Sequence, residues 1–120
     1  MNLKGTLPLL ILKILQSGPL HGYAIAQRIR ARSEGLLDFK EGALYPALHA
    51  QENRGLIESV ECEEKGRVKR CYRLTEEGRR SLKTERKEWA ELSAAISLIL
   101  DGGRARTIPI PVRSRALSSG

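Results

Sequence analysis

A run in the middle of the chain, Glu41-Gly-Ala-Leu-Tyr-Pro-Ala-Leu-His49, is followed by Asn53-Arg-Gly-Leu-Ile57 and then by the basic segment Lys65-Gly-Arg-Val-Lys-Arg70. This order narrows the folds open to the chain more than any other feature. The spacing predicts a helix from about Gly42 to about Arg54, with Pro46 fixing its start, because a proline is tolerated only where its missing N–H is not needed. Leu44, Ala47, Leu48 and Gln51 share one side of that helix; Tyr45, His49 and Asn53 share the opposite side with Pro46. Leu44 and Leu48 would anchor it to a core, leaving the Tyr45 side to face out. Gly55 is free to adopt the left-handed backbone that ends a helix. Residues 56–62 and 68–74 then read as strands, joined by Glu63-Glu-Lys-Gly-Arg67 with Gly66 at the tip of the turn. The first strand is acidic (Glu58, Glu61) and the return strand basic (Lys69, Arg70, Arg73), so cross-strand neighbours of opposite charge are expected.

The flanks fit the same scheme. Thr6 is a suitable N-cap, Pro8 suits a first turn, and Leu7, Leu10, Ile11, Ile14 and Leu15 recur at helical spacing until Gly18-Pro19. Leu9 and Leu12 widen the apolar face, so this helix is buried on most sides or docks a partner. A second helix is predicted from His21 to about Arg32, with Tyr23, Ile25, Ala26 and Ile29 inside and Arg28, Arg30 and Arg32 making the rest basic. Ser33-Glu-Gly35 closes it, and residues 36–40 form an extended connector. Thr75, with Glu76 and Glu77 behind it, caps a long last helix running to about Leu100. Along that helix Leu82, Glu85, Trp89, Leu92, Ile96 and Ile99 alternate at three and four residues, a seam of the coiled-coil kind with one polar interruption. Ala90, Ala94, Ala95 and Leu98 widen it. Such a seam must pack on another helix, most simply its own copy in a second subunit. Asp101-Gly-Gly103 stops the helix, and the arginine-rich tail beyond it shows no periodicity and is expected to be disordered.

The predicted fold is therefore mostly α with a small β-hairpin: a winged helix-turn-helix over residues 1–75, a dimerisation helix over 76–101 and a basic tail over 102–120. A net charge of +7 favours a polyanionic partner, nucleic acid before an anionic membrane surface. The apolar run from Leu7 to Leu15 is interrupted by Lys13, is too short to span a bilayer and lacks a cleavage site, which points to a cytoplasmic protein. Cys62 and Cys71 lack metal-ligand spacing; no metal and no cofactor are expected. In a reducing cytosol the two are expected to be free thiols serving as small buried hydrophobes, with a redox switch across the hairpin as the alternative. With no Ser/His/Asp ordering, no glycine-rich phosphate loop after a strand and only two histidines, the chain does not read as an enzyme.

Five motifs coincide in order: Gly-Thr-Leu-x-Leu-Leu-Ile-Leu from Gly5, Gly-Pro-Leu-His-Gly-Tyr-Ala-Ile from Gly18, Glu-Gly-x-Leu-Tyr-Pro-Ala-Leu-His from Glu41, Arg-Gly-Leu-Ile from Arg54, and Tyr-Arg-Leu-Thr-x-x-Gly from Tyr72. Over about residues 3 to 100 the chain closely resembles the PadR family of bacterial transcriptional regulators. The resemblance implies a winged helix-turn-helix that dimerises through its C-terminal helix, and a repressor, often autoregulatory, released by a small effector. Gln51 departs from the pattern by standing where the family usually has a core leucine. Cys71 replaces the first of two consecutive tyrosines. The tail beyond Gly103 matches nothing.

The candidate DNA contacts are His21, Tyr23, Lys40, Ala43, Tyr45, Pro46, His49, Asn53, Lys65, Arg67, Lys69 and Arg70. Tyr45, His49 and Asn53 would offer hydrogen-bonding side chains to a major groove. His21 and Tyr23 open a helix whose free N–H groups suit a phosphate, against the alternative that Tyr23 is a core aromatic. The wing cations would meet the backbone or a minor groove, although Glu63 and Glu64 dilute their field. Leu82, Trp89, Leu92, Ile96 and Ile99 are the candidate dimer interface. Trp89 is also the candidate contact for a small aromatic effector, against a purely packing role. The partners so implied are a pseudo-palindromic double-stranded operator and a second copy of the chain. The alternative is a winged-helix module that docks another protein through its apolar first helix without binding DNA.

Overall fold

The computed structural model describes residues 5–102. The elements run α1 (Leu7–Leu15), β1 (Leu20–His21), α2 (Gly22–Arg32), α3 (Glu41–Asn53), β2 (Ile57–Glu64), β3 (Arg67–Leu74) and α4 (Glu76–Leu100). The apolar run of α1 buries Leu7, Ile11, Leu12, Ile14 and Leu15, and the helix packs against α2, α3 and β3. Ile25 and Ile29 of α2, Leu44 and Leu48 of α3, and Ile57, Tyr72 and Leu74 of the sheet close the same core. With one Phe and one Trp in the chain, this core is built almost wholly from leucine and isoleucine.

The sheet has three antiparallel strands in the order β1-β3-β2, rather than the lone hairpin expected. Leu20 pairs with Tyr72 and His21 with Cys71. A two-residue strand has no period to read; it exists because β3 offers it a free edge. The hairpin is also longer than its alternation suggested, reaching Glu64 and restarting at Arg67. Only Lys65 and Gly66 make the turn, with φ of 53° and 77°. Two positive φ values at the centre of a two-residue loop match the right-handed twist of the strands.

Several expectations need correction. Helix α3 begins at Glu41, so Pro46 lies inside it rather than at its opening. The carbonyl deprived of a donor is that of Gly42, which is exposed and can turn to water. Tyr23 is not on the inner face of α2; it is 62% exposed. Cys62 and Cys71 are joined as a disulfide rather than free. Gln51 is buried at 1% exposure and satisfied: its Nε2 donates to the Pro8 carbonyl at 3.2 Å and its Oε1 accepts from Arg54 Nη1 at 3.1 Å. The amide thus ties α3 to α1 where a leucine would only fill space.

Leu82 is 2% exposed and belongs to this core, so it is not available to a dimer seam. The start of α4 is fixed to the winged helix in two further ways. Thr75 Oγ1 accepts from the Gly78 N–H at 3.0 Å and donates to the Gly55 carbonyl at 2.7 Å. Gly78 lies so close to the Leu56 carbonyl that a Cβ would collide with its oxygen. Accordingly the chain divides into two compact units between Glu85 and Arg86, where the sequence reading placed the division at 75. In the second unit Trp89, Leu92, Ile96, Leu98, Ile99 and Leu100 are all exposed. The tail expected from 102 onward lies, after Gly102, outside the described residues.

Candidate nucleic-acid interface

Burial of Leu44, Leu48 and Gln51 decides which side of α3 meets solvent. Ala43, Pro46, His49 and Asn53 are exposed on the remainder. Tyr45 departs from the expected pattern: it is half-buried and packs against the core. Its ring covers the first residue of α2, where a Cβ on Gly22 would stand 2.7 Å from the Tyr45 hydroxyl oxygen. Glycine at 22 therefore lets α3 lie close to the start of α2. Tyr45 sets that spacing more than it reaches outward.

Tyr45 shares an open groove of about 910 Å³ with Tyr23, Gln27, Arg30 and Lys40, between α2 and the beginning of α3. Asp38 lies 3.1 Å from Lys40 Nζ and 3.8 Å from Arg30 Nε, holding two cations at the rim. His21 is the N-cap residue of α2, with its Nδ1 3.9 Å from Glu64 of the wing. Candidates from three sequence segments are thus gathered on α2, α3 and the connector between them.

The wing cations are not equivalent. Lys69 lies 3.1 Å from Glu64, and its hydrogen bond and charge hold the Glu64 carboxyl below the ordinary range. Arg70 donates to Ser59 Oγ at 3.0 Å, lies 3.5 Å from Glu52 and stacks 5.7 Å from the Tyr72 ring centroid. Arg73 pairs with Glu58 at 2.7 Å, the one cross-strand charge pair expected from sequence that forms between direct neighbours. Among the described residues Lys65 and Arg67 have no carboxylate within ion-pair distance, although the Lys65 charge still adds to the lowering of the Glu64 carboxyl.

Sequence reasoning missed the contact that joins wing to helix. Ser59 donates to Glu52 at 2.6 Å, and Arg70 reaches both. Glu52 directly precedes Asn53, so this cluster sets the base of the wing beside the C-terminal end of α3. Nothing local announces it: the juxtaposition depends on the reversal at Gly55, where φ is 77°.

A three-helix core with a solvated polar side on its third helix and a cationic β-hairpin locked alongside defines a winged-helix DNA-binding protein. Residues 11–84 match the transcriptional regulator PadR-like family, so the chain belongs to that family and is a DNA-binding transcriptional regulator. It is similar to a PadR family regulator of Clostridium difficile R20291, with 34% identity and a TM-score of 0.71 over 80% of this chain and 99% of that one. A Streptococcus mutans UA159 structure matches at 31% identity and TM-score 0.75, covering 84% and 92%. A transcriptional regulator of Mycobacterium tuberculosis is 38% identical over 66 residues, 55% of this chain and 58% of that protein. Among the described residues no helix is long and apolar enough to cross a membrane, and no cluster of three or more His, Cys, Asp or Glu could hold a metal.

Proposed function

We propose that this chain is a homodimeric repressor whose α3 helices enter successive major grooves of a pseudo-palindromic operator, with the wing tips on the flanking backbone. The observation that carries this reading is the pairing of an exposed His49/Asn53 surface with Lys65 and Arg67, the exposed wing cations that no carboxylate holds at ion-pair distance. Base-edge contact comes from His49 and Asn53, and phosphate contact from Lys65, Arg67 and Lys40. Tyr23 and Tyr45 line the groove where a phosphate approaches the start of α2, and His21 stands at the helix N-terminus behind them.

Dimerisation runs through the exposed apolar residues of α4 from Trp89 to Ile99, without Leu82. Five large apolar side chains exposed on one short stretch are hard to reconcile with a solvated monomer. A flat aromatic effector stacking on Trp89 would favour one of two dimer geometries and change the separation of the heads, a population shift that releases the operator. The test is binding of the full chain to the DNA upstream of its own gene over a range of salt. Arg67→Ala with Lys65→Ala should lower affinity for every duplex and reduce the salt slope by about 2. His49→Ala with Asn53→Ala should lower affinity for the operator and leave binding to random duplex unchanged. Unaltered operator binding in both double variants would refute the assignment.

A further inference from the structure

The disulfide takes no part in the proposed DNA contacts, yet its place in the wing gives it a role. The ladder pairs Cys62 with Lys69 and Val60 with Cys71, so the two cysteines are diagonal neighbours on one face of the hairpin, 5.8 Å apart at Cα. A bond between them closes a ring that contains residues 63–70. Of the wing cations, Lys65, Arg67, Lys69 and Arg70 lie inside that ring and Arg73 lies outside it. Apart from the bond, no core side chain holds the tip; only the exposed Glu64 is tied, to Lys69 and His21. Residues 63–68 are exposed throughout, and Val68, the one large apolar side chain there, is 67% exposed. A two-stranded hairpin without a buried face is marginal in water. Its turn moreover places Lys65, a non-glycine residue, at positive φ.

The two sulfurs also differ in access. Cys71 is buried between β1 and β2, opposite His21. Cys62 is half-exposed. Both line a groove of about 600 Å³ between the wing and α2, walled by Pro19, His21 and Arg28 on one side and Glu63 and Glu64 on the other. A small reagent can reach the outer sulfur while the inner one waits behind it.

We propose that Cys62 and Cys71 form a reversible thiol–disulfide site for a low-molecular-weight disulfide, and that oxidation tightens DNA binding by ordering the cationic tip of the wing. In the forward direction the Cys62 thiolate attacks one sulfur of the small disulfide, forming a mixed disulfide and expelling one small thiolate. The Cys71 thiolate then attacks the Cys62 sulfur, closing the ring and expelling the second small thiolate. The two protons lost by the cysteines end on the two small thiols, so one small disulfide is reduced for each ring closed. The bound wing must be ordered in either state; the closed ring has lost that freedom beforehand, and the open chain loses it on DNA.

The effect on DNA rests on the wing contact proposed above, so the test reads the two separately. Affinity of the full chain for a 30-base-pair duplex of random sequence is measured at low salt in excess oxidised glutathione and in excess dithiothreitol, with free thiols counted in each. The expected result is no free thiol and a roughly three- to tenfold tighter complex in the oxidised buffer, against two thiols in the reduced one. Cys62→Ser and, separately, Cys71→Ala should bind like the reduced protein in both buffers. Lys65→Ala with Arg67→Ala should weaken binding and abolish the redox effect. A thiol count that does not follow the buffer, or equal affinity in the two redox states, overturns the proposal. If the Lys65/Arg67 double variant binds like the parent, the wing contact itself fails and the effect of oxidation on DNA binding fails with it.

Discussion

The unit that ends at Glu85 and the unit that begins at Arg86 share a helix but not a way of staying folded. In the first, leucines and isoleucines from α1, α2, α3 and the sheet close on one another, and the buried amide of Gln51 finds both a donor and an acceptor. In the second, the large apolar residues from Trp89 to Leu100 remain exposed. Among the described residues nothing covers that stripe, and the proposed dimer would cover it. The periodic sequence of α4 does not show where one regime gives way to the other. Leu82 and Trp89 are both large and both on the expected seam, yet one is 2% and the other 48% exposed.

The contrast can be broken by mutation. The largest effect is expected at Leu48, fully buried in the first unit. Leu48→Ala should cost about 3 kcal/mol in chemical denaturation, from lost transfer energy and the cavity left behind. Gly78→Ala should cost about 2 kcal/mol or more, because the Leu56 backbone must move to admit a Cβ. Trp89→Ala should weaken self-association by about 2 kcal/mol, read as a roughly 30-fold rise in the dimer dissociation constant by analytical ultracentrifugation, with the circular dichroism of the winged-helix unit retained. Thr75→Ala removes the cap at the start of α4 and should cost about 1 kcal/mol. Gln51→Leu sharpens the comparison most finely. It exchanges two hydrogen bonds for the apolar residue the family pattern expects, and should change stability by less than about 1 kcal/mol.

Much of this was legible in the sequence, for stated reasons. Leu44 and Leu48 at helical spacing, the stop at Gly55 and the Thr75 cap are local signals, and each appears where its chemistry places it. The features that sequence reasoning missed are those formed by distant partners. The strand at Leu20–His21 exists only because β3 has an open edge, and the Glu52–Ser59–Arg70 cluster only because the chain reverses at Gly55. Composition also overstated the cationic wing. Lys69 and Arg70 sit beside Glu64 and Glu52, leaving Lys65 and Arg67 as the exposed charge. Tyr45 likewise looked outward on a helical wheel, whereas its ring packs over Gly22.

On the proposed reading the unit before Arg86 folds without a partner, and the apolar stripe after it joins two copies. Sedimentation equilibrium of the Leu92→Glu/Ile96→Glu variant, alongside the parent, tests it most directly. The expected outcome is a parent dimer and a variant monomer, with the cooperative unfolding of the winged-helix unit retained and operator affinity reduced at least tenfold, because two linked heads bind far more tightly than one. A parent chain that sediments as a monomer at every concentration, or a variant that still dimerises with full operator affinity, would contradict it.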